Sequence, residues 1–135
     1  MEIDKELIRG QTDLIILAML AGGDLYGYEL AKRIKQQTDG AFELKEGTLY
    51  LVFKRLEKAG LVESYWGEGE VGARRKYYRL CSRGQHHLES LTSQWQLMTK
   101  VVQGCLDQAA TAGQGNPDTS THLASPGQSQ TKEPK

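Results

Sequence analysis

The sequence predicts a mainly α-helical protein with a small β hairpin, and three observations carry that prediction. Three helical segments come first, and each of them ends at a glycine. Two runs rich in aromatic residues follow, separated by a glycine-rich stretch, as the strands of a hairpin are. Apolar residues then recur at spacings of three and four, which is typical of one long helix. This order of elements is that of a winged helix-turn-helix followed by a long C-terminal helix.

The three N-terminal helices are bounded by recognisable start and stop residues. The first begins at Thr12 and ends before Gly22, and the second spans about residues 26–38. The third spans about residues 46–59, and Gly60 follows it at the position of a left-handed C-terminal cap. Local sequence signals therefore predict where each of the three helices ends.

The hairpin consists of the runs LVESYW and RRKYYRL, joined by GEGEVGA. Residues 67–72 also match G-x-G-x-x-G, the dinucleotide-binding pattern, but in that pattern the glycines open a helix whose amides hold a pyrophosphate. Here the glycines lead into a strand, and Glu68 and Glu70 would repel phosphate. We therefore interpret the stretch as the tip of a hairpin.

The last helix is predicted by a capping box, Ser82 with Gln85, and by a repeating apolar seam. Six apolar positions exceed what a winged-helix core of this size needs, so we expect part of the seam to pack against a second subunit. The alternative is a single helix that lies on its own domain. The seam residues are Leu88, Leu91, Trp95, Met98, Val102 and Cys105.

These elements divide the chain into a winged-helix domain at residues 1–81, a dimerisation helix at 82–108 and a tail at 109–135. All three prolines lie in the tail, which has no aromatic residue and one large aliphatic, Leu123. Such a segment cannot bury enough apolar surface to offset the entropy of ordering, so we expect it to be disordered.

Composition excludes several classes of function. The longest apolar run, at residues 14–21, is far shorter than the roughly 20 residues of a membrane helix, so we expect a cytoplasmic protein without membrane contact. Cys81 and Cys105 show no metal-ligand spacing, and the adjacent His86 and His87 point in different directions on a helix. No catalytic triad, carboxylate pair or phosphate loop stands out, so we expect no enzyme activity, metal or cofactor.

Charge is balanced over the chain but clustered locally. Seventeen basic residues match seventeen acidic ones, so any contact with nucleic acid must come from a local patch. On the third helix, the helical periodicity predicts one buried and one outward-facing side. The buried residues are Leu49, Val52, Phe53 and Leu56. The outward-facing residues are Thr48, Leu51, Lys54, Arg55 and Lys58. A charged helix face is usually only a solvated face.

The position of this helix favours a DNA contact. It follows a helix and a turn, and the hairpin brings Arg74, Arg75 and Lys76 beside it. In a winged helix these two elements meet the same DNA, with helix side chains at base edges and wing cations at phosphates. The alternative is an interaction module that uses the same hairpin and basic face to dock a protein.

The run GTLYLVFKRLEKAGLVESYW, the strand RRKYYRL, Gly84 and the motif YGYEL closely resemble the PadR family of winged-helix transcriptional regulators. The resemblance covers nearly all of the predicted folded part. It implies a homodimeric repressor that binds a palindromic operator in double-stranded DNA, dimerises through the C-terminal helix and, in several branches, is released by small aromatic ligands. The candidate DNA-binding residues are Tyr28, Lys45, Thr48, Tyr50, Lys54, Arg55, Lys58, Arg74, Arg75 and Lys76.

The single short C-terminal helix resembles the multidrug-responsive branch of that family, in which a tryptophan pairs with its symmetry mate around flat aromatic drugs. Trp95 occupies the matching position, so it either senses a planar ligand or only packs. Thr99 stands where the drug-binding relative has a carboxylate, and Leu51 stands where many members have proline. The candidate ligand-binding residues are Leu7, Leu14 and Ala18, which we expect on the first helix, with Trp95, Met98 and Thr99.

Overall fold

The computed structural model describes residues 1–69 and 72–114. Two compact units divide the chain, one from Met1 to Gln94 and a second that begins at Trp95. The elements in chain order are α1 (Lys5–Arg9), α2 (Thr12–Ala21), β1 (Leu25–Tyr26), α3 (Gly27–Gln37), α4 (Glu46–Lys58), β2 (Val62–Glu68), β3 (Arg74–Leu80) and α5 (Ser82–Gln114). The predicted fold class, mainly helical with a small sheet and one long final helix, is confirmed.

The predicted hairpin is formed by β2 and β3, which pair antiparallel from Val62 opposite Leu80 to Glu68 opposite Arg74. The sheet nevertheless has three strands in the order β1-β3-β2, because Leu25 and Tyr26 pair with the free edge of β3. A two-residue strand cannot show the alternation by which strands are recognised. Its pairing depends on Tyr77 and Tyr78 of β3, which are distant from it in the sequence.

The N-terminus contains an additional short helix, α1, that the sequence pattern did not predict. The Asp4 carboxylate caps it by accepting a hydrogen bond from the amide of Glu6 at 2.7 Å. Five residues are too few to display a helical period. Leu7 therefore lies on α1 and not on the helix that carries Leu14 and Ala18, which corrects the expectation that one helix holds all three.

The end of α4 forms the cap that Gly60 predicts. Gly60 has a φ of 78°, and the amide of Leu61 donates to the carbonyl of Leu56 at 3.0 Å while that of Gly60 donates to Glu57. These two bonds form a Schellman motif, which satisfies the last carbonyls of α4 and turns the chain into β2. Helix α4 and the hairpin are thus connected by a defined turn.

The start and length of α5 differ from the sequence-based expectation. Ser82 is its first helical residue instead of its cap, and the amide of Gln85 donates to the carbonyl of Cys81 at 2.9 Å. The helix continues to Gln114, six residues past the predicted boundary at 108. The remainder of the predicted disordered tail, residues 115–135, lies outside the described residues.

The core of the first unit lies between α2, α3, α4 and the sheet. Its best-defined contact is a face-to-face stack of Phe53 on α4 and Tyr78 on β3, with ring centroids 3.7 Å apart and planes 3° apart. Leu88 of α5 is also buried in this core. Within the described ranges, no helix is long and apolar enough to cross a membrane.

Candidate nucleic-acid interface

Helix α4 has one buried and one exposed face, as its periodicity predicts. Leu49, Val52, Phe53 and Leu56 are each at most 9% exposed and pack into the core. The opposite face carries Tyr50, Leu51, Lys54, Arg55, Lys58 and, at its edge, Thr48, all of them exposed. A helix anchored by four core side chains presents its outer residues in a fixed orientation.

The cations of β3 lie beside the beginning of α4. A groove of about 350 Å³, which we call the wing groove, separates the two elements. The structure thus brings together three cations and a set of tyrosines that the sequence places in three separate segments. The side chains that matter for charge and hydrogen bonding in this groove are Tyr26, Tyr28, Glu46, Tyr50, Arg74, Arg75 and Lys76.

Aromatic rings support two of these cations. The guanidinium of Arg75 lies 4.4 Å from the ring centroid of Tyr26, and that of Arg74 lies 5.1 Å from the centroid of Trp66. Cation–π contacts contribute about 0.5–1 kcal/mol at exposed sites. They restrict the positions of the two guanidinium groups without neutralising their charge, so both groups keep their attraction for phosphate.

Arg55 has a different environment from the other predicted DNA-binding residues. Its two terminal nitrogens donate to the two carboxylate oxygens of Asp13 on α2, at 2.6 and 2.9 Å. This hydrogen bonding to the Asp13 carboxylate raises the pKa of Arg55. The structure therefore places this side chain at the contact between α2 and α4, where its donors have an intramolecular acceptor.

Arg79 shows a similar pairing further along β3. Its guanidinium donates to the carboxylate of Glu63 at 2.7 Å, and this bond raises the pKa of Arg79. Arg79 is exposed, but it does not line the wing groove. Of the cations on β3, Arg74, Arg75 and Lys76 line this groove.

Lys45 and Thr48 lie on the other side of α4 from the wing groove. They line a second groove, of about 360 Å³, together with Lys5 and Arg9 of α1. We call it the α1 groove. Sequence reasoning missed Lys5 and Arg9 because the helix that carries them was not predicted. The sequence signal that could have revealed this helix is Asp4 at its N-cap position, followed by the cations Lys5 and Arg9 in successive turns.

The candidate ligand-binding residues belong to both units. In the first unit, Leu14 on α2 is half-buried against the core, whereas Ala18 on α2 and Leu7 on α1 are exposed. In the second unit, Trp95 and Met98 are about half exposed, at 49% and 58%. The hydroxyl of Thr99 donates to the carbonyl of Trp95 at 2.8 Å, so it is engaged within its own helix.

The apolar seam of α5 is buried near the start of the helix and exposed further along it. Leu88 is buried and Leu91 half-buried against the core of the first unit. The later seam positions, Trp95, Met98, Val102 and Cys105, are exposed in the single chain. Three apolar residues outside the predicted seam are exposed as well, namely Leu97, Val101 and Leu106.

Across residues 1–69 and 72–114, no three His, Cys, Asp or Glu side chains come together as metal ligands would.

Helix α4 with its exposed basic face, beside a hairpin that carries cations, defines the protein as a member of the winged-helix class.

Comparison with known proteins identifies the family within that class. The profile described as the transcriptional regulator PadR-like family matches residues 16–90, which is more than half of the chain. This protein belongs to the PadR-like family of transcriptional regulators. As a member of a family of regulators, it is not an enzyme.

Two solved structures and one curated sequence are similar to this chain. A transcriptional regulator from Clostridium thermocellum is 43% identical, with a TM-score of 0.69 and coverage of 76% of this chain and 96% of that one. A PadR family transcription regulator from Clostridium difficile is 38% identical, with a TM-score of 0.64 and coverage of 71% and 98%. An uncharacterized protein from Lysinibacillus sphaericus is 40% identical over 100 residues, which are 74% of this chain and 92% of the relative.

Proposed function

We propose that the protein is a sequence-specific DNA-binding repressor that acts in the cytoplasm as a homodimer on a palindromic operator. The observation that carries the proposal is the wing groove, in which Arg74, Arg75 and Lys76 lie beside the exposed face of α4. Helix side chains such as Lys54 contact base edges in the major groove, and the wing cations contact phosphates. Family membership supports the same role.

The test of this proposal is the salt dependence of DNA binding. Each phosphate contact contributes about 0.9 to the slope of log affinity against log salt concentration. A homodimer loses two contacts in Arg75→Ala, so the slope should fall by about two. Arg79→Ala is the matched control, since Arg79 lies on the same strand but pairs with Glu63.

The binding assay uses the DNA upstream of the protein's own gene, with an excess of nonspecific competitor. An unchanged slope in Arg75→Ala would contradict the role of the wing cations. Absence of any specific complex in the wild type, together with capture of a protein partner that Arg75→Ala abolishes, would favour a protein-docking module instead.

Dimerisation is supported by the exposed apolar residues of α5. Trp95, Met98 and Val102 lie on one side of the helix and leave about half of their surface in water. Burial of such side chains against a second copy contributes about 25 cal/mol for each Å² of apolar surface. We expect Val102→Glu to dissociate the dimer in sedimentation velocity, whereas Lys100→Glu, on the opposite side of α5, should leave it intact. Equal sedimentation of all three proteins would contradict this interface.

A planar aromatic ligand at the dimer interface is the second part of the proposal. Trp95 has an exposed ring, and Thr99 contributes no charge beside it. The ligand is therefore neutral or anionic, because a cation would find no carboxylate at that position. In a Trp66→Phe background, planar aromatics should quench the fluorescence of Trp95 and weaken DNA binding. Equal affinity for the ligand in a dimeric Trp95→Ala variant would leave Trp95 with a packing role only.

A further inference from the structure

The α1 groove is a second cationic surface next to α4. Lys5 and Arg9 of α1 line it together with Lys45, and all three side chains are exposed. Among the described residues, Glu43 contributes the one carboxylate to its lining. This carboxylate lies 3.7 Å from the ammonium group of Lys35 on α3. Positive charge therefore predominates in the α1 groove, as it does in the wing groove.

The pairing of Arg9 does not remove its charge from the groove. Its guanidinium lies 3.2 Å from the carboxylate of Glu6, but the two side chains are 76% and 74% exposed. Exposed pairs of this kind contribute little to stability, because water screens the two charges. A phosphate can therefore replace Glu6 as the partner of Arg9 at little cost.

The two grooves lie along opposite edges of the exposed face of α4. Tyr50 lines the wing groove and Thr48 lines the α1 groove. Residues two apart on an α-helix are separated by about 200° around its axis, so these side chains mark the two edges. Lys54 is exposed on the surface between them. The outer face of α4 is thus flanked by cations on both sides.

A helix in the major groove has a phosphate backbone on each side, because that groove is about 12 Å wide and bounded by the two strands. We propose that the α1 groove is a second phosphate-binding surface, in which Lys5, Arg9 and Lys45 hold the strand across the major groove from the one held by the wing. This inference rests on the proposed DNA binding. It extends the interface to a segment that comes before the winged-helix elements in the sequence.

The test measures the salt slope of operator binding for Lys5→Ala and Arg9→Ala. Each substitution should lower the slope by about two in a dimer and weaken binding by roughly tenfold to a hundredfold at 100 mM salt. Lys5→Arg and Arg9→Lys should retain the wild-type slope, since phosphate attraction requires the charge. Lys32→Ala is the control, since Lys32 is an exposed cation on α3 that lines neither groove.

Ethylation interference separates this surface from the wing. In the wild type, ethylation of each contacted phosphate should block binding. In Lys5→Ala, ethylation should no longer matter at phosphates on one side of the major groove. In Arg75→Ala, it should no longer matter at phosphates on the other side. Loss of the same phosphates in both variants, or an unchanged slope in both Lys5→Ala and Arg9→Ala, would overturn the inference. Should the wild type bind no DNA, the proposed function itself fails; a slope that depends on Arg75 alone refutes only the α1 groove.

Discussion

Gly84 gives a sharp test of the packing between α5 and the hairpin. It lies in the first turn of α5 and is buried. A β carbon added there would lie 2.7 Å from Leu80 Cδ1 and 3.0 Å from the carbonyl carbon of Leu61, and would overlap the carbonyl oxygen. That oxygen accepts a hydrogen bond from the amide of Cys81 at 3.0 Å, so it cannot turn away without breaking the bond.

Two effects of opposite sign determine the outcome of Gly84→Ala. Alanine is favoured over glycine in a helix by about 0.8–1 kcal/mol, which would stabilise the protein. Overpacking of a rigid site costs about 1–3 kcal/mol, and here the nearest atom belongs to the backbone, which has no alternative rotamer. We expect the clash to exceed the helix preference, so the free energy of unfolding should fall by up to about 2 kcal/mol.

The matched control is Gly104→Ala on the same helix. A β carbon at Gly104 meets nothing within 4 Å, so only the helix preference acts and the variant should gain about 0.8–1 kcal/mol. Urea denaturation of wild type and both variants at one protein concentration gives the comparison. If Gly84→Ala is as stable as the wild type or more stable, the close approach of α5 to Leu61 is refuted.

Two further predictions concern Arg55 and Cys81. Asp13→Asn and Arg55→Met should each lower the free energy of unfolding by up to about 1 kcal/mol, because each removes a bidentate surface pair. Arg55→Met should leave the salt slope of DNA binding unchanged, and a slope lower by about two would show instead that Arg55 contacts phosphate. In a Cys105→Ser variant, the Cys81 thiol should react with maleimide at pH 8 more slowly than an exposed cysteine, because burial raises its pKa and lowers its thiolate fraction. An equal rate would contradict the partial burial of Cys81.

Helix ends and faces could be predicted from the sequence because their causes are local. The left-handed glycine after α4 and the four apolar positions within it are fixed by residues only a few positions apart. Strand β1 and helix α1 could not be predicted in the same way. Each is too short to show a period, and β1 exists only because β3 offers it an unpaired edge.

At the candidate site, the exposure of Arg55 could be predicted from the sequence, but its ion-pair partner could not. Its helical position correctly predicts an exposed side chain, and periodicity groups it with Lys54 and Lys58. Its partner Asp13, however, lies 42 residues earlier in the chain, on another helix. Periodicity determines which way a side chain points but contains no information about the acceptor it meets.

The alternation of β3 explains why two of its cations, Arg74 and Lys76, lie on the side of the sheet that faces α4. Arg74, Lys76 and Tyr78 share one face of the strand because side chains two apart point the same way. Tyr78 stacks on Phe53 of α4, so the face that holds both cations is the face turned toward α4. A register slip of one residue would move this whole set to the other side of the sheet. The stack of Phe53 on Tyr78 thus fixes the positions of Arg74 and Lys76 relative to α4. Burial of either ring alone would not predict this role.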